Sequence, residues 1–266
     1  MKTGFAVFFA VVIALGGSWV GFVVAPTLQL GSAKLTKVLN STDAYPLQRT
    51  GEATLGLQVY RSVGCVACHT EQVRQDGVEF QVVLTGAGKN PAAVSNFIAT
   101  LKLTGLTKEQ ADSANEKISA LGGKAETHLI ATGADIAKGW GVRRSVAADF
   151  LYDAPVQLGN LRAGPDLANV GARLVDANWH LVHLYAPKAY AAKPMMPSYK
   201  FLFEVRKAGA TPAADALKLP PELAAPVGFE VVPKPEAKQL VAYLLSLRSD
   251  VPLYEAPFTP VTTAKP

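Results

Sequence analysis

The chain has 266 residues, 49% hydrophobic and 18% charged, a composition that supports a packed core and speaks against a disordered protein. Its 26 Lys and Arg against 21 Asp and Glu give a net charge of +5 without a dense basic block, which argues against nucleic acid as a partner.

The first feature in chain order is an apolar run, Gly4 to Ala25, that contains no charge. As a helix it spans about 30 Å, the thickness of a bilayer core. A cleaved signal peptide is the rival reading. The run is longer than a usual h-region, however, and Pro26 would directly follow the best small-residue cleavage site, Val23-Val24-Ala25. An uncleaved transmembrane anchor over residues 1–30 is therefore expected. Lys2 and the amino terminus balance Lys34 and Lys37 across the span, so the positive-inside rule does not orient it.

A helix is predicted from Glu52 to Val63, with Leu55, Val59 and Val63 on one face and Gly56 and Tyr60 beside them. It leads into Cys65-Val66-Ala67-Cys68-His69, which holds both cysteines of the chain and one of its four histidines. This is the covalent attachment motif of a c-type haem. The spacing brings two thiolates to the two vinyl groups of one porphyrin, and the histidine directly after the second cysteine becomes the proximal iron ligand. A zinc site is one alternative, drawing its further ligands from His128, His180 and His183. A thioredoxin-like redox pair is another, but it needs no His69 and calls for a βαβ context. Covalent haem attachment in bacteria takes place outside the cytoplasmic membrane, so residues after Pro26 are expected in the periplasm.

Next comes a segment with its own pattern. Val78, Phe80, Val82 and Leu84 alternate as in a half-buried strand. Asn90-Pro91 opens a helix bearing Val94, Phe97, Ile98 and Leu101 on one side. Thr107 and Gln110 form a capping box for a second helix, which carries Ile118 and Leu121 and stops at Gly122-Gly123. A strand from Lys124 to Ala131 completes a βααβ unit.

Further on, His180 and His183 lie three apart and so share a helical face. They read either as ligands of a second haem or metal, or as structural histidines near the haem edge. With no second attachment motif the structural reading is adopted, and Trp179 reads as a packed anchor. Met195 and Met196 sit in Lys193-Pro194-Met195-Met196-Pro197-Ser198-Tyr199, a proline-bounded stretch without helical period. A rigid loop of this kind presents a thioether to iron, and Met ligation raises the reduction potential and suits electron transfer. Met196, directly before Pro197, is the preferred ligand; simple core filling is the other use of a methionine. Ala208 to Lys234 and Pro252 to Pro266, rich in Ala and Pro, read as loops. Between them Pro235 stands in the first turn of a last helix whose stripe is Leu240, Tyr243, Leu244 and Leu247.

Gly56-x-x-x-Tyr60 and Leu240-x-x-Tyr243 resemble the crossing of first and last helices in mono-haem cytochromes c. Gly164-Pro165-Asp166-Leu167 resembles the loop of that fold whose proline carbonyl accepts a hydrogen bond from the histidine ligand. The run Tyr60 to Arg74, then Leu151-Tyr152-Asp153-Ala154-Pro155, Leu158 to Gly171, Asn178 to Leu184 and Met196-Pro197-Ser198-Tyr199 occur in the order seen in subunit II, the mono-haem subunit, of cbb3-type cytochrome c oxidases. The resemblance covers most of the chain outside one insertion and the proline-rich end.

It implies a mainly α protein: an N-terminal transmembrane helix, then a class I cytochrome c-like haem domain carrying an inserted small α/β lobe of βααβ form. The expected divisions are an anchor at 1–30, a periplasmic cytochrome domain at 31–77 and 133–250, the lobe at 78–132 and a proline-rich tail at 251–266. One haem c would be bound through Cys65 and Cys68, with His69 and Met196 as axial ligands and the Pro165 carbonyl bonded to His69. Arg162 would pair with a haem propionate, a solvated surface arginine being the alternative. The implied role is electron transfer without catalysis of its own, in the bacterial inner membrane. Electrons would come from a di-haem cytochrome c subunit or a soluble cytochrome and pass to the haem-copper subunit that reduces oxygen. The alternatives are the haem-c subunit of a nitric oxide reductase, against which the long stretch from Ala148 to Tyr199 argues, and a free-standing anchored cytochrome. Within the insertion, Glu79 to Thr85, Lys108 to Ala111 and Ala120 to Glu126 look like an abbreviated C-terminal domain of the bacterial ribosomal stalk protein. Outside the cytoplasm such a shape would serve packing or partner contact, or be a local elaboration.

Overall fold

The computed structural model describes residues 2–30 and 34–258. The apolar N-terminus forms α1 (Lys2–Trp19), a π-helical turn over Val20–Val24 and α2 (Ala25–Leu30). The wide turn has a local cause. Pro26 offers no N–H and its ring crowds the carbonyl four residues back, and just before it the Ala25 N–H bonds Val20 O, five residues back. The stretch Thr3–Gln29 has a mean hydropathy of 2.4, is unburied and is long and apolar enough to cross a membrane.

Beyond it, β1 (Thr36–Lys37) pairs with β2 (Ala44–Tyr45), and α3 (Gly51–Ser62) begins at Thr50, whose hydroxyl accepts from Ala53 N. A single 3-10 turn then carries Cys65 to Ala67. The following elements are β3 (Gly77–Gly86), α4 (Pro91–Ala99), α5 (Lys108–Ala120), β4 (Lys124–Thr132), α6 (Ala134–Ala137), α7 (Val170–Arg173) and α8 (Ala177–Tyr185). The last are β5 (Phe203–Lys207), β6 (Phe229–Pro233) and α9 (Pro235–Ser246).

The main core forms where α3 crosses α9. Ala53, Gly56, Leu57 and Tyr60 are the buried residues of α3, set against Leu240, Tyr243 and Leu244. The crossing is close because Gly56 has no side chain: a Cβ there would strike the Gln239 carbonyl and come within 2.8 Å of Tyr243 Cβ. The Tyr60 and Tyr243 rings meet alongside, with centroids 5.2 Å apart. Of the face predicted from period, Leu55 with Val59 and Val63, Val59 packs against this core and Leu55 does not. Turning Gly56 into the crossing rotates Leu55 outward, where it is 46% exposed.

Residues 77–132 form an antiparallel hairpin of β3 and β4 with α4 and α5 between them in sequence. The capping box of Thr107 and Gln110 is formed, and Asn90 caps α4. Val82, Leu106, Ala111, Ala114 and Ile118 make a separate small core, with Phe80, Leu84, Phe97 and Leu101 against it. The far edge of β3 is also occupied, since Val82 N donates to Leu103 O and Phe80 N to Leu106 O, both at 2.9 Å. Gly77 pairs with Thr132, so the chain leaves and re-enters this unit at adjacent points.

Two stretches expected to be loops contain ordered packing. Within Ala208 to Lys234, β6 pairs along its length with β5 and buries Val231 and Val232, while Leu217, Leu219 and Leu223 pack onto the main core. In the tail, Leu253, Ala256 and Phe258 are buried; Leu253 and Ala256 join Tyr45 and Val146 in a third cluster, and residues 259–266 lie outside the described part. A buried ion pair stiffens this corner. Arg143, fully buried, grips Asp149 at 2.8 and 3.0 Å and donates to Val251 O, while the Tyr45 hydroxyl donates to Asp149 at 2.7 Å.

Candidate haem site

At the end of α3, the 3-10 turn gives the attachment motif its shape. Ala67 N donates to Gly64 O, and Cys68 N and His69 N both donate to Cys65 O. Cys65 is partly buried against the main core, whereas Cys68 is exposed. Burial pushes the Cys65 thiol up to about 12, the opposite of the lowered value that a thiol-disulfide redox pair needs. Among the described residues, no group of three or more His, Cys, Asp and Glu side chains converges as a metal site would require.

The imidazole of His69 is oriented from outside the motif. Its Nδ1 lies 2.8 Å from Pro165 O; a carbonyl only accepts, so Nδ1 carries the proton and Nε2 keeps its lone pair. Gly164 backs onto the ring so closely that an added Cβ would meet Nδ1 at 2.7 Å and Nε2 at 2.8 Å. Backbone bonds strap the two segments together: Gly164 N to Cys68 O, Leu167 N to Thr70 O and Glu71 N to Leu158 O, at 2.8 to 3.1 Å.

Asp166, fully buried, is the hub of this strap. One carboxylate oxygen accepts from Thr70 Oγ1 at 2.6 Å and Gln72 N at 2.8 Å, and the other accepts from Ala168 N. Arg162 belongs to the same clamp. Its Nε donates to Thr70 Oγ1, its Nη1 to Asp135 at 2.6 Å and its Nη2 to Gln72 O at 2.6 Å, so all three guanidinium nitrogens are engaged within the protein. The structure therefore places Arg162 in the loop that carries Pro165, tied to α6 through Asp135, which also accepts from Arg74 N.

The methionines separate clearly. Met195 is 80% exposed, while Met196 packs on the main core together with Cys65, Val66, Leu167, Leu181 and Tyr199. The loop that carries it is closed, because Tyr199 N donates to Leu184 O of α8 at 2.8 Å. Tyr199 and Cys65 pack against the same core as Met196, and burial raises the Tyr199 hydroxyl above its ordinary value. On α8, buried His180 donates Nε2–H to Leu174 O. His183 stacks on Trp179, with centroids 4.8 Å apart and planes 11° apart, and its Nδ1 is buried without a partner.

This donor set fits a haem c: two unpaired cysteines, an imidazole with Nε2 available, and partly buried apolar side chains from three separate segments. Behind it lies Glu71, buried, accepting from the Tyr243 hydroxyl at 2.9 Å and raised by burial to about 8. Arg49 stacks over the Tyr243 ring and pairs with Asp153. The motif reading does not reach Thr70, Glu71, Asp135 or Asp166. Only Asp166 carries a local signal, its place directly after Gly164-Pro165.

No curated protein matches the chain. Residues 137–243 match the family model described as cytochrome C oxidase, mono-heme subunit/FixO, a span that holds Arg162, Pro165, α8, Met196 and the crossing helix α9 up to Tyr243. Over these residues the chain is similar to the mono-haem subunit of cytochrome c oxidase, the family that its motifs resemble.

Proposed function

We propose that this protein is the membrane-anchored mono-haem c subunit of a cbb3-type terminal oxidase, an electron carrier rather than a catalyst. The observation that carries the reading is His69, fixed by Pro165 and Gly164 immediately after a free cysteine pair, with Met196 packed on the same core as Cys65 and lying in the segment that matches the family.

In this reading Cys65 and Cys68 would hold the haem through two thioethers, and His69 Nε2 and Met196 Sδ would ligate its iron. Haem c, when bound, supplies a one-electron Fe(III)/Fe(II) couple that needs no open coordination site. The Pro165 carbonyl holds the imidazole in one tautomer and one orientation and increases its basicity. Asp166 and Arg162 keep that loop rigid, and Leu167, Leu181 and Tyr199 keep water from the ligands. The Thr3–Gln29 helix tethers the carrier to the membrane with the haem domain in the periplasm. A di-haem cytochrome subunit or soluble cytochrome is the donor, and the haem-copper subunit the acceptor.

Pyridine haemochrome analysis of the purified chain tests the cofactor. One haem c per chain, not extractable by acidified acetone, is expected. Two haems, or extractable haem, would overturn the assignment.

A further inference from the structure

From Tyr185 to Phe203 the sequence holds Lys188, Lys193 and Lys200 and no Asp or Glu, in a chain whose whole net charge is +5. All three lysines are exposed, and none is ion-paired among the described residues, whereas Arg206 and Lys238 beyond the stretch are held by Glu230 and Asp215. Their charge is therefore free to act on a partner. Two carboxylates flank the stretch in sequence, Asp176 at the cap of α8 and Glu204 on β5. Beside the lysines stand Tyr190, Met195 and Phe201, which are 46%, 80% and 60% exposed.

The stretch is held as one ordered loop. Its ends meet where Tyr199 N donates to Leu184 O, and its first half is fixed by the Tyr190 ring, stacked on Trp179 at 4.9 Å. Lys200 Nζ lies 5.4 Å from the centre of the Tyr185 ring. Lys234, at the start of α9, donates Nζ to Phe201 O at 2.8 Å and adds a fourth cation. A pinned loop loses little freedom on docking. Exposed Tyr, Phe and Met side chains with charges around them have the composition of an interface between proteins.

We propose that the loop from Tyr185 to Phe203 is a docking face for an acidic protein surface. Met195 and Phe201 are its apolar contacts, while Lys188, Lys193 and Lys200 meet carboxylates of the partner and steer its approach. Docking itself goes beyond the haem c reading; that the partner exchanges electrons here rests on that reading, because Met196 lies in the same loop.

The full-length protein in non-ionic detergent is titrated with fluorescently labelled flavodoxin, a small acidic electron-transfer protein, and binding is read by anisotropy, which does not depend on haem. Wild type should bind at low salt and lose affinity steeply as salt rises. Combining Lys188→Glu, Lys193→Glu and Lys200→Glu should weaken binding at least about tenfold. The same charge change at exposed positions of the inserted unit, Lys102→Glu, Lys117→Glu and Lys124→Glu, should weaken it less than about twofold. Phe201→Ser should cost about threefold and keep the salt dependence. Should the loop triple variant melt early, the pair Lys188→Glu and Lys193→Glu, which leaves Lys200 on its ring, should still cost about threefold. No binding by wild type, or equal loss in the two triple variants, would overturn the proposal. So would a difference between wild type and loop variant that appears in phosphatidylcholine nanodiscs and vanishes in phosphatidylglycerol ones, because the loop would then lie on an anionic membrane. Absence of covalent haem with binding intact would defeat the haem c reading alone.

Discussion

The Nδ1 atom of His69 lies 2.8 Å from the carbonyl oxygen of Pro165, a residue 96 positions away in sequence, and Gly164 leaves the room that makes this approach possible. Gly164→Ala should therefore push the imidazole aside, with the added methyl sitting inside normal contact distance of both ring nitrogens. The expected result is a clear fall in haem c per chain on haem-stained gels at equal protein. Pro165→Ala, which keeps the carbonyl, should retain most of the haem. Equal haem in Gly164→Ala and wild type would show that the ring has slack.

The crossing of α3 and α9 depends on Gly56. Gly56→Val should cost about 1–3 kcal/mol, seen as a lowered melting temperature, because the side chain meets the Gln239 backbone. Leu55→Ala, at an exposed position on the same helix, should change stability by less than about 0.5 kcal/mol. Similar losses from both would mean that the buried face is assigned wrongly.

Asp135 joins Arg162 and the Arg74 amide at a buried point. Asp135→Asn leaves the Arg162 charge without its main partner and should destabilise by about 3 kcal/mol. This bears on removal of the inserted unit. Joining Gly77 to Thr132 by a short Gly/Ser linker keeps Asp135 and uses two residues that are already paired, so the reduced haem spectrum should persist. A deletion extended through Ile136 removes Asp135 and should give a less stable protein. Failure of the shorter deletion to take up haem, where the full chain succeeds, would make the unit part of the haem fold.

His180 and His183 are both held below the ordinary imidazole value, first by burial. A folded-state value below the unfolded one means that folding favours the neutral ring. Stability from these groups is thus complete above about pH 6.5 and is lost as pH falls toward about 4, the value for His183. Melting temperatures of the holo-protein between pH 7 and 4 should fall, with a shallower decline in His180→Asn, which retains a donor for Leu174 O. The same slope in both proteins would remove His180 from the account.

Local chemistry made much of this legible in sequence. The haem motif is contiguous, and the inserted unit announces its ends through Asn90-Pro91, Thr107 with Gln110, and Gly122-Gly123, all of which act within a few residues. What stayed hidden depends on partners far along the chain. Period marks an apolar face on α3 but not which side a neighbour covers, and the contact of Gly56 with Gln239 is what leaves Leu55 exposed. β6 is concealed in an Ala- and Pro-rich stretch because its pairing partner is β5, more than twenty residues earlier. Arg143 with Asp149 and Val251, and Arg162 with Asp135 and Thr70, are clamps between segments that no spacing rule connects.

The most direct test of the central claim is isolation of the native complex from membranes through a tag on this chain, with its subunits identified and its haems counted by type. The account predicts co-purification with a haem-copper subunit and a di-haem c subunit, and oxygen consumption driven by a reduced cytochrome. A complex that reduces nitric oxide and holds this chain as its sole haem c subunit, or a chain that purifies alone with its haem intact, would contradict it.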